Sequence, residues 1–233
     1  MPEHISAEAL EEMKNYYRAR AHEYDEWFYR QGRYDRGAEA NARWFAEVEQ
    51  VFTQLAELHL TGDILELAPG TGIWTEHLLK TATTITAVDA SSEMIELNRA
   101  KIADPRISYI QNDLFTWQPE RTYAAVVFGF WISHVPLERL DAFLLSVRGM
   151  LDPGGKIFFV DGRREITSTA INHQLPLPDN QVMTRILNDG SAFQIIKNFY
   201  DPTELTHRFQ RLGFDMTVRE TEKYFLYGYG SLL

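Results

Sequence analysis

Four positions in the first half of the chain are spaced as a nucleoside site requires. Glu66 lies in a short apolar run, Gly70-Thr71-Gly72 follows it, Asp89 closes the next run 19 residues after Gly70, and Asn112-Asp113-Leu114 follows the third run. Glycines let a turn take positive φ and let a ligand approach the main chain, while the amino end of the following helix offers unpaired N–H groups. An acid at the end of a second strand can accept from both ribose hydroxyls. A carboxylate after the third can accept from an exocyclic amine such as that of adenine. Taken singly each has a plain structural alternative: Gly-x-Gly a tight turn, Asp89 the cap of a helix over 91–101, Asp113 a turn former. In order on three successive strand ends, they point together to one nucleoside. Further on, His134 is a candidate general base, because an imidazole can take a proton near neutral pH; its alternative is a histidine packed under the next helix.

These groups need a scaffold that brings strand ends together. From Gly62 onward, apolar runs at 64–67, 85–88, 107–110, 124–128 and 156–160 alternate with helical patterns near 73–80, 91–102 and 136–148, the pattern of a parallel sheet with crossover helices. Asp152-Pro-Gly-Gly155 predicts a turn before the fifth run. Upstream, Met13, Tyr16, Tyr17, Arg20, Tyr24, Trp27 and Phe28 form one stripe of a helix over 5–30, and Trp44, Phe45, Val48, Val51, Phe52 and Leu55 the apolar face of a second over 35–58. Residues 162–200 interrupt the alternation, with runs 181–187 and 192–199 around Asn188-Asp189-Gly190-Ser191 predicting a hairpin. Asp201-Pro202 starts a last helix, and runs 216–220 and 224–229 an antiparallel edge.

The chain has 233 residues, no cysteine, 33 acids and 23 bases, for a formal net charge of −10. Without cysteine, disulfides, thiolate metal sites and cysteine nucleophiles are excluded. The acidic balance and the lack of a Lys/Arg cluster argue against nucleic acid and anionic membranes as partners. No run suffices for a membrane span and the first 14 residues lack a signal-peptide core, so a cytoplasmic location is expected. No Walker lysine follows the glycines, and Thr75 stands where a dinucleotide fold needs a third glycine. Asp161 and Asp113 find no third metal ligand, so no metal is expected.

Glu66-Leu-Ala-Pro-Gly-Thr-Gly72, Val88-Asp89, Asn112-Asp113-Leu114 and Leu151-Asp-Pro-Gly-Gly-Lys156 together resemble the class I S-adenosylmethionine-dependent methyltransferases, in particular the small-molecule branch. The resemblance covers roughly residues 60–162. It implies a Rossmann-like, doubly wound α/β fold with a seven-stranded, mostly parallel sheet and an antiparallel last strand. It further implies one domain, with an N-terminal helical lid (1–58), a cofactor-binding core (59–161), an insertion or cap (162–200), and a C-terminal helix and strands (201–233). S-adenosylmethionine is the implied cofactor and S-adenosylhomocysteine its product. By the same resemblance Glu66, Ala68, Gly70 and Gly72 line the methionine part, Asp89 the ribose, Asp113 and Leu114 the adenine, with Asn112, Ala90 and Met94 beside them. Pro69 departs mildly from the family pattern.

Main-chain carbonyls at Phe128 and Gly129 can accept from the cofactor's ammonium group, and Phe130 and Trp131 can face its sulfonium. The N-terminal stripe, if not simple core, closes over the pocket, with Tyr16, Arg20 and Tyr24 reaching the cofactor and Tyr17 and Trp27 the acceptor. His173 and Arg185 of the insertion are weaker acceptor candidates, against the alternative of solvated surface. The Asn-Pro-Pro-aromatic motif of nucleic-acid amino-methylating relatives is missing. The expected reaction is methylation of an oxygen or nitrogen of a small aromatic or heterocyclic molecule. Carbon methylation of a quinone-like ring, or binding of S-adenosylmethionine without catalysis, are the alternatives, and a homodimer is left open.

Overall fold

The computed structural model describes residues 5–178 and 180–233; residues 1–4, part of the leader stretch considered above, lie outside it. The five apolar runs form β1 (Gly62–Leu67), β2 (Ala82–Asp89), β3 (Ile107–Gln111), β4 (Tyr123–Gly129) and β5 (Leu151–Gly162), all parallel. With β8 (Phe214–Glu220) and β9 (Phe225–Leu232) they make one seven-stranded sheet in the order β3-β2-β1-β4-β5-β9-β8. The chain's last strand enters between β5 and β8, antiparallel to both, so β8 alone forms that edge. Side chains alternate between faces along each strand. Leu65, Leu67, Val126 and Phe128 pack with α6 (Leu140–Gly149) and α7 (Pro202–Arg211), while Ile64, Ile85 and Val127 pack with α3 (Ala38–Glu57) and α4 (Ile73–Leu78). The strands are buried on both faces, which is why they read as continuous apolar runs.

The order reverses at β1, whose neighbours are β2 and β4, and ligands in such sheets bind at the carboxyl ends beside that reversal. Two residues there adopt left-handed backbone without being glycine: Ala68 (φ 52°) just past β1 and Phe130 (φ 55°) just past β4. Each costs about 1–3 kcal/mol. The bonds Ala68 N–H to Val88 O (2.9 Å) and Phe130 N–H to Val160 O (2.7 Å) hold them in place.

The single helix expected over 5–30 is broken. Ser6 caps α1 (Ala7–Arg20), a 3-10 turn covers Ala21–Glu23, and α2 (Tyr24–Phe28) follows. A straight helix of that length would run about 39 Å. The break is held from outside: Asp25 bonds Thr71, and Trp27 Nε1 donates to the Ser168 carbonyl at 2.8 Å. It keeps Arg20, Tyr24 and Trp27 over one end of the sheet. On α3 the expected stripe is buried at Trp44, Val48, Val51 and Leu55 and half-buried at Phe52, while Phe45 is exposed because it sits one residue, about 100° of helix, from Trp44. Asp152-Pro-Gly-Gly155 is an outpouching within β5, between the pairs Tyr123–Leu151 and Ala125–Lys156. The hairpin forms as β6 (Val182–Ile186) and β7 (Ala192–Ile196), a separate two-stranded sheet against which Tyr16 of α1 packs through Phe193, ring centroids 5.8 Å apart. The helix after Asp89 is α5 (Ser92–Ile102).

Candidate active site

A cleft opens at the carboxyl ends of β1, β2 and β4. Ala68, Gly70, Asp89, Ala90, Met94, Asp113 and Leu114 line it, as do Gly129, Phe130, Trp131, Tyr17, Tyr24 and His134. Asp89 Oδ1 accepts from Ser91 N–H (2.9 Å) and Oδ2 from Gly70 N–H (3.3 Å), so one carboxylate ties the glycine turn to α5. Ser91, not Asp89, caps that helix, its hydroxyl accepting from Met94 N–H. Burial pushes Asp89 up to about 6 against these bonds. Asp113 accepts from Phe115 N–H (2.9 Å) and from Lys14 of α1 (2.8 Å), and these outweigh the effect of burial and hold its carboxyl below the usual range.

Gly129 is required by its neighbours: a Cβ there would meet the Trp74 indole at 2.5 Å. Gly72 is outside the cleft. Its φ of 95° caps α4, and a Cβ would meet Asn98 at 3.0 Å, so its role is the packing of the turn. The Phe128 side chain is fully buried, stacked on Phe159 with centroids 5.6 Å apart, so only its main chain is left for the expected contact. Two more expected contacts are placed elsewhere. Asn112 turns its side chain to Asp113 N–H. Tyr16 is core between α1 and β7. Glu66 lies beneath the glycine turn, 1% exposed, with Oε2 unpartnered; burial drives it up to about 8, against a bond from Thr75.

A second cavity adjoins the first. Tyr17, Tyr24, Phe130 and His134 line both cavities and form their junction. Beyond them stand Arg20, Arg185, Lys197 and Arg163 with the rings of Trp27, Trp44, Phe199 and Tyr224, and among the described residues none that lines it is an acid. Arg20 therefore faces this chamber and not the first cleft. It is 6% exposed and makes no hydrogen bond or ion pair with any described residue; its guanidinium lies over Tyr24 at 4.8 Å and Tyr16 at 5.5 Å. Arg185 Nη1 donates to His173 Nδ1 (2.9 Å), and its Nε is unpartnered. His173 does not line the chamber; burial, then the Arg185 charge, lowers it to about 3, so it is a neutral support for Arg185. Lys197 bonds Asp161 (2.8 Å) and Ser133 (2.7 Å). Asp161 is held below the usual carboxylate range by Lys197 although burial opposes this.

Lys14, Met13 and Phe115 in the first cleft, and Lys197, Phe199, Trp44 and Tyr224 in the second, were not singled out from the sequence as site residues. Lys197 had a faint signal as a cation within an apolar β-rich run. Among the described residues no three His, Asp or Glu side chains cluster to hold a metal ion, and no helix is long and apolar enough to cross a membrane.

Sheet order, glycine turn and three strand-end acids define a nucleoside-binding α/β enzyme of the methyltransferase type. Residues 33–218 match the family model of a methyltransferase domain, and the chain belongs to that family. It is 35% identical to the protein in the solved DhpI–SAH complex, covering 98% of both chains with a TM-score of 0.80, and superposes equally well on the DhpI–SAM–HEP complex, at 35% identity over 97% of this chain and 99% of that one. Among curated proteins it is 25% identical over 171 residues to demethylmenaquinone methyltransferase of Tropheryma whipplei (strain Twist), and 24% identical over 139 residues to an uncharacterized methyltransferase of Bacillus cytotoxicus. These matches span 66% and 59% of this chain and 67% and 65% of the relatives' own lengths. The protein is an S-adenosylmethionine-dependent methyltransferase. The first cleft suits that cofactor: main chain accessible at Gly70 and Gly129, a carboxylate at Asp89, and the orphaned Glu66 Oε2 beneath the turn.

Proposed function

We propose that the protein methylates an oxygen or nitrogen of a small acceptor bearing an acidic group, and that Arg20 and Arg185 hold this group in the second cavity. The observation that carries the reading is the Arg20 guanidinium, enclosed and permanently charged, with its Nε buried and no carboxylate paired with it among the described residues. A buried ion without a counter-ion costs several kcal/mol, and a bound anion removes that cost. The rings of the chamber are already engaged edge-on with one another, Trp27 with Phe130 at 4.6 Å and with Trp44 at 5.4 Å, so charge supports the acceptor class better than ring stacking does. A neutral ring such as a quinone would leave both guanidinium groups unpaired.

The cofactor supplies an electrophilic methyl group on a sulfonium. The chain supplies position. Asp89 and the Gly70 turn seat the nucleoside, Tyr17, Tyr24, Phe130 and His134 frame the passage between cavities, and the arginines orient the acceptor toward it. Alignment of this kind is worth up to about 7–11 kcal/mol of barrier. An acceptor oxyanion is already a nucleophile, so this reading needs no general base. Both ring nitrogens of His134 are in any case engaged, with Tyr17 (2.6 Å) and the Ile196 carbonyl (2.5 Å), which weighs against the base role expected from the sequence.

The test is a transfer assay with S-[methyl-13C]adenosylmethionine and a panel of phosphonates, phosphate monoesters and carboxylates, the HEP molecule of the DhpI complex among them, beside neutral phenols and amines. Mass spectrometry should find the labelled methyl only on acidic acceptors, and an Arg20→Met chain should lose at least tenfold in kcat/KM. Equal labelling of neutral phenols by both chains would overturn the reading.

A further inference from the structure

The Tyr17 hydroxyl and the His134 imidazole meet at the junction of the two cavities, and their partners determine where the protons lie. His134 Nδ1 is 2.5 Å from the Ile196 carbonyl oxygen, which can only accept, so Nδ1 carries the ring proton. Nε2 is left with a lone pair, and at 2.6 Å the phenol is the donor to it. From this geometry we propose that His134 is a positioning residue that accepts the hydrogen bond of the Tyr17 hydroxyl, so that Tyr17 offers only oxygen lone pairs to the junction the methyl group crosses. The inference rests on the methyl-transfer reading above.

The commitment of that proton matters because of what lies on each side. A phenol with a free proton beside an anionic acceptor would donate to it and tie up the electron pair that has to attack. With its O–H donated to Nε2, Tyr17 cannot do so, and its oxygen lone pairs attract the partly positive hydrogens of a sulfonium methyl instead. The surroundings hold the pair in one state. Burial lowers His134 to about 3; the charges of Lys197 and Arg185 act in the same direction, and Asp161 and the Ile196 carbonyl oppose them. Burial also raises Tyr17 well above the ordinary phenol value, with Tyr16 and Tyr24 adding to the effect and Arg20 and Arg185 opposing it. Neither partner changes charge between pH 5.5 and 9, roughly the range over which an ordinary histidine would titrate.

Two measurements test this without knowing the acceptor. In the wild-type chain with S-adenosylhomocysteine bound, 15N spectra of labelled imidazoles should show His134 as the neutral Nδ1–H tautomer, unchanged from about pH 5.5 to 9. An Nε2–H tautomer, or titration inside that window, would overturn the proposal. With bound S-[methyl-13C]adenosylmethionine, the methyl resonance should move in Tyr17→Phe and in His134→Leu and return toward wild type in His134→Gln, whose carbonyl can accept the phenol proton. A packing role alone would leave the resonance of Tyr17→Phe unmoved, and that result also overturns the proposal. If His134→Leu does not fold, the wild-type tautomer and Tyr17→Phe still decide. Failure of the wild-type chain to bind either cofactor form would instead undo the methyl-transfer reading beneath.

Discussion

Replacing Arg20 by methionine should separate stability from ligand binding if, as proposed, the arginine holds an anionic group of the acceptor. Arg20 is 6% exposed and without hydrogen bonds. Exchanging a buried ionic group for a packed apolar one of similar volume gains about 1–4 kcal/mol. Against this stand the cation–π contacts over Tyr24 (4.8 Å), Tyr16 (5.5 Å) and Tyr34 (6.0 Å). At about 0.5–1 kcal/mol for each, the three contacts come to about 1.5–3 kcal/mol and offset most of the gain. The net expectation is a ligand-free Arg20→Met chain within about 1 kcal/mol of the wild type, or about 2–4 °C in Tm for a chain of this length. Inorganic phosphate should separate the two chains. At a hundred times its Kd it would add about 2.7 kcal/mol to the wild-type chain and nothing to the variant. Differential scanning calorimetry at two phosphate concentrations, with sulfate and chloride at matched ionic strength, reads both effects. A variant destabilised by several kcal/mol and still stabilised by phosphate would refute the reasoning, since Arg20 would then be satisfied within the protein and irrelevant to the anion.

Three further outcomes follow from the same geometry. Asp89 lies near 6 when free and must be ionised to accept from ribose, so affinity for S-adenosylhomocysteine should fall about tenfold per pH unit below that value, with about one proton released on binding near pH 5 in calorimetry across buffers. Glu66 is raised from 4.5 to about 8, so the folded chain binds a proton that the unfolded chain has lost between those values; stability should decline as pH rises through that window, and Glu66→Gln should flatten this part of the profile in denaturant titrations. Gly129→Ala places a methyl 2.5 Å from Trp74 and should cost about 1–3 kcal/mol in urea titration together with weaker cofactor binding; an unchanged midpoint would show that the indole can move aside.

The sheet and the cofactor cleft were readable because their signals are local. Each strand is a buried apolar run, and Asp89 and Asp113 sit one and three residues past such runs, so position in the sequence is position at the rim. Where expectation failed, tertiary contacts decided. Nothing local marks the break after Arg20, which is held by Asp25 on Thr71 and Trp27 on the Ser168 carbonyl, residues 46 and 141 positions away. Gly72 fits the glycine pattern but is spent on the close packing of Asn98. The second cavity was the least visible part, since Arg20 on α1, Arg185 on β6 and Lys197 just past β7 come together only when the hairpin folds against α1. That Lys197 is paired with Asp161 while Arg20 has no acid partner among the described residues is a property of the assembled chamber.

The most direct test is a crystal structure with S-adenosylhomocysteine and arsenate, whose anomalous signal locates the anion without ambiguity. A tetrahedral anion bridging Arg20 and Arg185, across the Tyr17–His134 junction from the cofactor's sulfur, is the predicted result. Full occupancy of the cofactor cleft with the anion missing from the second cavity, at a concentration that saturates any calorimetric response, would contradict it.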